Sequence, residues 1–175
     1  SAICDIMNDK DVVDIFHNEK TIIAQSSDMT IISPLVDAIF PNTDPFFSTV
    51  KKCNIILHTM ELKDALERIK LYTSEDSAMI TFNIAGANLD ITAYDEFNNH
   101  SGVESITLKD TASVDITIGF NAELFLNILG SISETEFIFA YTEFNKMISI
   151  NPVPVDGEKI NKTFLLMPMQ ILKLQ

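Results

Sequence analysis

NIILHTMELKDALERIKLY, residues 54–72, changes its apolar rhythm partway along. The first residues alternate apolar and polar, as a strand with one buried face does. Beyond Met60 the period lengthens, so that Leu62, Ala65, Leu66 and Ile69 fall at i, i+3, i+4 and i+7. Lys63, Asp64, Glu67, Arg68 and Lys70 lie off that stripe, which predicts an amphipathic helix joined directly to a strand.

The same change recurs in SVDITIGFNAELFLNILG, residues 113–130. Here Asn121 suits an N-cap, Phe125, Ile128 and Leu129 share a face, and Gly130 suits a left-handed residue closing the helix. The two helix starts share wording, TMEL at 59–62 and NAEL at 121–124.

Outside these two stretches alternation dominates. VVDIFH (12–17), TIIAQ (21–25), TIISPLV (30–36), AMITFNI (78–84), NLDITAYD (88–95) and VESITLKD (103–110) read as strands. So do EFIFAYT (136–142), MISINPV (147–153) and TFLLMPM (163–169), with turn residues Asn18-Glu19, Gly86 and Asn145-Lys146 among them. The order from 54 is strand, helix, three strands, and from 113 it is the same again. The opening segment reads helix end (AICDIM), then three strands, like a third copy without its first strand.

These repeats imply an α+β fold of β-α-β-β-β units with helices packed on one face of antiparallel sheets, because a sheet's apolar face must be covered. Two paired units would assemble one sheet from both copies, with two helices on one side. FPNTDPFFSTV at 40–50 interrupts the pattern with two prolines and reads as a linker, dividing 1–45 from 46–175.

Composition narrows the class. Of 175 residues, 46% are hydrophobic and 21% charged, the balance of a folded protein. No apolar run approaches the roughly 18 residues that span a bilayer, and SAICDIMNDKD lacks a signal peptide's pattern, so a cytoplasmic protein with no membrane partner is expected. Cys4 and Cys53 are too few for a disulfide framework and read as reduced thiols. With 25 Asp and Glu against 12 Lys and Arg, net charge −13, simple wrapping around nucleic acid is disfavoured, though a local basic face is compatible.

The residues of a catalytic or metal site are missing in any recognisable spacing. His17, His58 and His100 are dispersed, with no HExxH, CxxC or phosphate-cradling glycine loop. Asp95-Glu96 is the best carboxylate pair, yet strand neighbours point to opposite faces, and a solvated loop is the expectation there. Neither cofactor nor metal is implied.

IGFNAELFLNIL (118–129), FIFAYTEFNKMISINPV (137–153) and TFLLMPMQ (163–170) together resemble the C-terminal domain of the bacterial DNA polymerase III β subunit family, the sliding clamps. ISPLVDAIFP (32–41) is similar to that family's segment entering the last domain, and ELKDALERIKLYTSE (61–75) to its helix and following turn. The resemblance implies a non-catalytic processivity factor for the DNA-directed DNA polymerase. Such a protein encircles duplex DNA as a homodimeric ring and tethers the polymerase by effective concentration. Each family member has three domains of two repeats, so residues 1–45 would be the second half of the middle domain and 46–175 the C-terminal domain. The ring closes only with the first domain of another subunit.

The resemblance further implies an apolar groove taking short linear motifs of the polymerase's catalytic chain, the clamp loader and repair proteins. Carried across by motif, it would include Pro41, Asn121, Leu124, Met147, Leu165, Leu166, Met167, Pro168 and Met169. Methionines suit a surface that accepts several peptides. From alternation alone, Leu165, Met167 and Met169 equally suit ordinary strand positions. Lys63, Arg68 and Lys70 would face DNA, although Asp64 and Glu67 interleave them and an ion-paired surface is the competing expectation. Leu71 and Tyr72 would lie at the ring interface, with Asp95, Glu96 and Glu104 as acidic partners.

The pattern departs from the family at Pro34, Ala38, Asn42-Thr43, Leu124 and Gln170, where the groove's shape and polarity would differ. The chain also continues as QILKLQ, a loose imitation of the partner motif. A clamp-like interaction module that does not encircle DNA is the alternative.

Overall fold

The computed structural model describes residues 12–39, 42, 51–143, 146–154 and 162–171. Cys4, Pro41, Asn145 and the helix end expected within 2–7 lie outside these residues. The chain divides into two units, Ser1–Thr43 and Asp44–Gln175.

In the first unit, β1 (Asp14–His17), β2 (Thr21–Gln25) and β3 (Thr30–Pro34) form an antiparallel meander in that order. Asn18 makes the first turn: its Oδ1 accepts from the Lys20 and Thr21 N–H groups at 2.9 and 2.8 Å. A short side chain that satisfies nearby backbone donors is what a turn selects. The register aligns Phe16, Ile23 and Ile32 in one row and Ile15, Ala24 and Ile31 in the next. Successive residues point to opposite faces, so the meander carries an apolar row on each.

The second unit holds β4 (Cys53–His58), α1 (Thr59–Ile69), a 3-10 turn (Lys70–Tyr72), β5 (Met79–Ala85), β6 (Asn88–Asp95) and β7 (His100–Thr107). It continues with β8 (Ile116–Asn121), α2 (Ala122–Gly130), β9 (Glu136–Tyr141), β10 (Ile148–Pro152) and β11 (Phe164–Leu166). The repeat of strand, helix and three strands is therefore present twice. Both helices start at a side-chain cap, His58 Nδ1 accepting from Glu61 N–H at 3.4 Å and Asn121 Oδ1 from Leu124 N–H at 3.0 Å. Each satisfies a donor that the first helical turn leaves unpaired.

One sheet was expected; there are two, ordered β11-β10-β9-β4 and β7-β6-β5-β8. The leading strand of each repeat joins the other repeat's meander: β4 pairs with β9, and β8 with β5, both antiparallel. Periodicity assigns a strand its buried face but not its neighbour, so this exchange leaves no trace in alternation. Both sheets and both helices nevertheless share one core. Phe82 of β5 lies 5.3 Å from Phe120 of β8, 5.4 Å from Phe125 of α2 and 6.2 Å from Phe139 of β9, centroid to centroid. Leu62, Ala65, Leu66 and Ile69, the stripe that revealed α1, are all buried.

Three local expectations are corrected. Gly130 is the last helical residue and not left-handed; α2 closes when the Ser131 N–H reaches the Ile128 and Leu129 carbonyls. The strand expected over 163–169 is regular only from Phe164 to Leu166, because Pro168 has no N–H to continue a ladder. Asp95 is buried, not solvated: it accepts from the Phe97 N–H at 2.9 Å and the Asn98 side-chain amide at 2.8 Å. Those bonds build the turn between β6 and β7 and hold the Asp95 carboxyl below the usual range, the Asn98 amide contributing most.

Candidate functional site

The last described residues return to β8, the strand that leads into α2. Register pairs Ile148 with Leu166 at the end of the ladder, and Met147 and Met167 are the next residues of the two chains beyond it. Pro168 then ends the ladder, and the Met169 N–H donates to the Gly119 carbonyl at 2.8 Å in an isolated antiparallel bridge. Gly119 lies two residues before Asn121, the N-cap of α2, so Met169 is seated on the strand that leads into that helix.

Their exposures separate surface from scaffold. Leu124 and Met167 are 54% and 58% exposed, whereas Leu166 is 6% exposed and contributes to the core. Leu165, Pro168 and Met169 are half-buried. The Asn121 side chain is fully engaged: besides capping α2 it donates to the Ser77 carbonyl at 3.0 Å, while Ala122 N–H donates to the Ala78 carbonyl at 2.8 Å. Two bonds thus fix the turn before β5 against the start of α2. Pro41 lies outside the described residues.

Beside this stretch, a cleft of about 520 Å³ runs over the outer side of β5 and β6. Met79, Thr81, Thr92 and Tyr94 line it from the sheet, Phe97 from the Asp95 turn, and Met169 to Ile171 from the chain's last described residues. The sequence pattern marks Met169 as part of the groove, Gln170 as a departure from the family and Ile171 as part of the continuing tail, and points to none of the others. Gly119 was the available signal, since a glycine inside a strand marks a close approach.

The helix cations are paired. Arg68 holds Glu104 of β7 with two bonds of 2.9 and 2.8 Å, Lys70 reaches Glu123 of α2 at 2.8 Å, and Lys63 lies 4.0 Å from Glu67. The hydrogen bond from Arg68 holds the Glu104 carboxyl below its usual range and keeps the guanidinium more firmly protonated. Glu104 is therefore engaged within its own unit, and Asp95 within its own turn. Among the described residues, no cluster of His, Cys, Asp and Glu is placed to share a metal ion, and no helix is long and apolar enough to cross a membrane.

Leu71 and Tyr72, 80% and 42% exposed, stand beside β7, whose outer edge pairs with no other described strand. Tyr72 lies over Gly102 so closely that a Cβ there would meet its Cδ2 at 2.7 Å. Val103, the next residue of the strand and also exposed, points to the opposite face of the sheet from the Gly102 position that Tyr72 covers.

Known proteins resemble this chain in sequence and fold. Residues 46–170 match the family model described as the DNA polymerase III beta subunit, C-terminal domain. The beta sliding clamp of Chlamydia muridarum is 26% identical over 157 residues, 90% of this chain and 41% of the relative. That of Rickettsia bellii is 21% identical over 155 residues, 83% of this chain and 39% of the relative. The chain thus spans about two fifths of the length of the curated relatives it matches. The crystal structure of the DNA polymerase III subunit beta from Pseudomonas aeruginosa superposes with a TM-score of 0.77 at 21% identity, covering 91% of this chain and 42% of that one. A sliding clamp from Bartonella birtlesii bound to griselimycin gives 0.75 at 20% identity, covering 91% and 41%. At such identities the superpositions speak to the shared fold.

Proposed function

Because the chain belongs to the family formed by the C-terminal domain of the DNA polymerase III beta subunit, we propose that it forms part of a replication processivity clamp and docks partner proteins through the surface around Met167. The observation that carries this reading is that Met169 is bridged to Gly119 on the strand leading into α2, with Met167 two residues before it and Leu124 in the first turn of that helix. Two of those side chains are left largely in water by a domain that buries most of its large apolar residues. Exposed apolar side chains on a fixed backbone anchor short peptides, and methionine adapts to more than one of them. Polymerase, clamp-loader and repair proteins carrying such motifs are the partners. The role is tethering, without chemistry of its own.

On this reading residues 1–45 belong to a middle domain and 46–175 form the C-terminal domain. Leu71 and Tyr72, beside β7, meet the next subunit of a homodimeric ring around duplex DNA.

The test is binding of a Gln-Leu-x-Leu-Phe peptide, with griselimycin as a second probe, to the chain and to Leu165→Asp and Met167→Asp. Loss of affinity in both variants supports the assignment. Affinity unchanged in both overturns it.

A specific observation favours a second reading, an interaction module that does not encircle DNA. Lys63 and Arg68 of α1 and Lys70 of the following turn all face carboxylates, and the protein carries a net charge of −13. Duplex DNA binding that is absent even at low salt would favour the module.

A further inference from the structure

The cleft over the outer side of β5 and β6 has one charged residue in its lining, Glu96, among apolar and hydroxyl side chains. β5 and β6 are the inner strands of the sheet β7-β6-β5-β8, so their backbone groups are engaged in ladders on either side and no strand can be added there. Whatever the cleft recognises, side chains must do it. Alternation turns Met79 and Thr81 outward while Ile80 and Phe82 enter the core, and register sets Thr92 beside Thr81. Several hydroxyls are already engaged: Ser74 and Ser77 bond one another at 2.8 Å, and the Thr92 hydroxyl donates to the Thr81 carbonyl at 3.5 Å. Tyr94 and Phe97 remain 49% and 87% exposed. Glu96 is exposed too, and no cation among the described residues pairs with it.

We propose that this cleft is a docking site for a partner segment that presents a lysine or arginine among apolar residues. Charge complementarity selects that occupant. A long basic side chain carries an apolar stem below a cationic head. The cleft offers the counterpart of each, with Met79, Met169 and Ile171 for the stem and the Glu96 carboxylate for the head. Tyr94 and Phe97 add aromatic faces, which attract cations. An acidic segment would meet Glu96 on a protein of net charge −13 and be repelled. The walls are set before any partner arrives. Phe97 N–H donates to Asp95 Oδ1 at 2.9 Å and the Asn98 amide to Asp95 Oδ2 at 2.8 Å, so the buried Asp95 holds the turn that carries Glu96 and Phe97. Met169 N–H donates to the Gly119 carbonyl at 2.8 Å, which seats the residues that line the cleft from the other segment. Preorganised walls lower the cost of binding. The volume of about 520 Å³ falls within the roughly 300–1,000 Å³ of pockets that enclose a ligand. The site does not depend on the assignment of the surface around Met167.

The experiment is an amide NMR titration of the full chain with acetyl-Leu-Lys-Leu-amide, and with the same peptide carrying norleucine for lysine, repeated on Glu96→Gln, Phe97→Ala and Met167→Asp. All three positions are exposed, so the variants leave the core intact. Saturable shifts are expected at Thr81, Thr92 and Phe97 with the lysine peptide. Affinity should fall about three- to tenfold with norleucine and in Glu96→Gln, fall less in Phe97→Ala, and hold in Met167→Asp. Absence of shifts at those amides overturns the site. Equal affinity for lysine and norleucine, or native affinity in Glu96→Gln, overturns its preference for a cation. Loss in Met167→Asp puts the peptide on the other surface and overturns the site as well. Cleft resonances that move with protein concentration before peptide is added make a second copy the occupant. Binding seen only in a chain ending at Ile171 makes the chain's own continuation the occupant, and either result overturns the partner.

Discussion

Arg68 grips Glu104 with two parallel hydrogen bonds, Nε to Oε1 at 2.9 Å and Nη2 to Oε2 at 2.8 Å, tying the outer face of α1 to the edge strand β7. A fork held by both oxygens has little attraction left for a phosphate. The strongest cation of the helix is thus the one most completely occupied.

Glu104→Gln should release it. If α1 meets DNA in the assembled clamp, duplex binding at low salt strengthens, and the slope of log affinity against log salt steepens by up to about 0.9 for the one freed cation. Fluorescence anisotropy across a salt series measures this, and an unchanged slope means that α1 does not touch the duplex.

Acid should destabilise the fold in a defined direction. Glu104, hydrogen-bonded by Arg68, and Asp95, hydrogen-bonded by Asn98 and Phe97, both have folded-state pKa values below the ordinary carboxylate range. The unfolded chain therefore binds protons first as pH falls. Their stabilisation is fully present above the unfolded values and is lost as pH drops through the lower folded ones, with the decline beginning below about pH 5. Asp95→Asn should be less stable at neutral pH yet lose less on acidification, which thermal melts at several pH values will show.

Phe82→Ala removes the ring shared by both sheets and α2. A cavity at a site with 0% exposure, bordered by Phe120, Phe125 and Phe139, cannot collapse easily. The cost should be about 3–5 kcal/mol by urea denaturation, with both sheets lost in one transition.

Asn121 joins two roles that its variants separate. Asn121→Ala loses the cap of α2 and the bond to Ser77 together, and should cost about 1–2 kcal/mol for the cap alone. Asn121→Asp keeps an acceptor for Leu124 N–H but cannot donate to the Ser77 carbonyl, so its stability should fall between native and alanine. Weaker peptide binding in both would tie the Ser77 turn to the docking surface.

Much of this architecture was legible because it is local. The 3.6-residue period of Leu62, Ala65, Leu66 and Ile69 marked α1 and its buried face, and the alternation of NLDITAYD marked β6 over Asn88–Asp95. The repeat itself followed from element order. What stayed hidden depends on contacts distant in sequence: the pairing of β4 with β9, the burial of Asp95 beneath Asn98, the carboxylates that neutralise Lys70 and Arg68. Gly102 and Gly119 show the same limit from the other side. Each is a plain strand residue in sequence, and only the segment lying over it, Tyr72 or Met169, gives the missing side chain its meaning.

The exchanged leading strands carry a consequence for how the second unit can be divided. A chain cut between 109 and 115, in the connection from β7 to β8, would separate two pieces that each hold three strands of one sheet and the fourth strand of the other. Neither piece could complete a sheet alone. Mixed together they should reassemble by complementation in trans, and two copies of either repeat could build the same ladder as a swapped dimer.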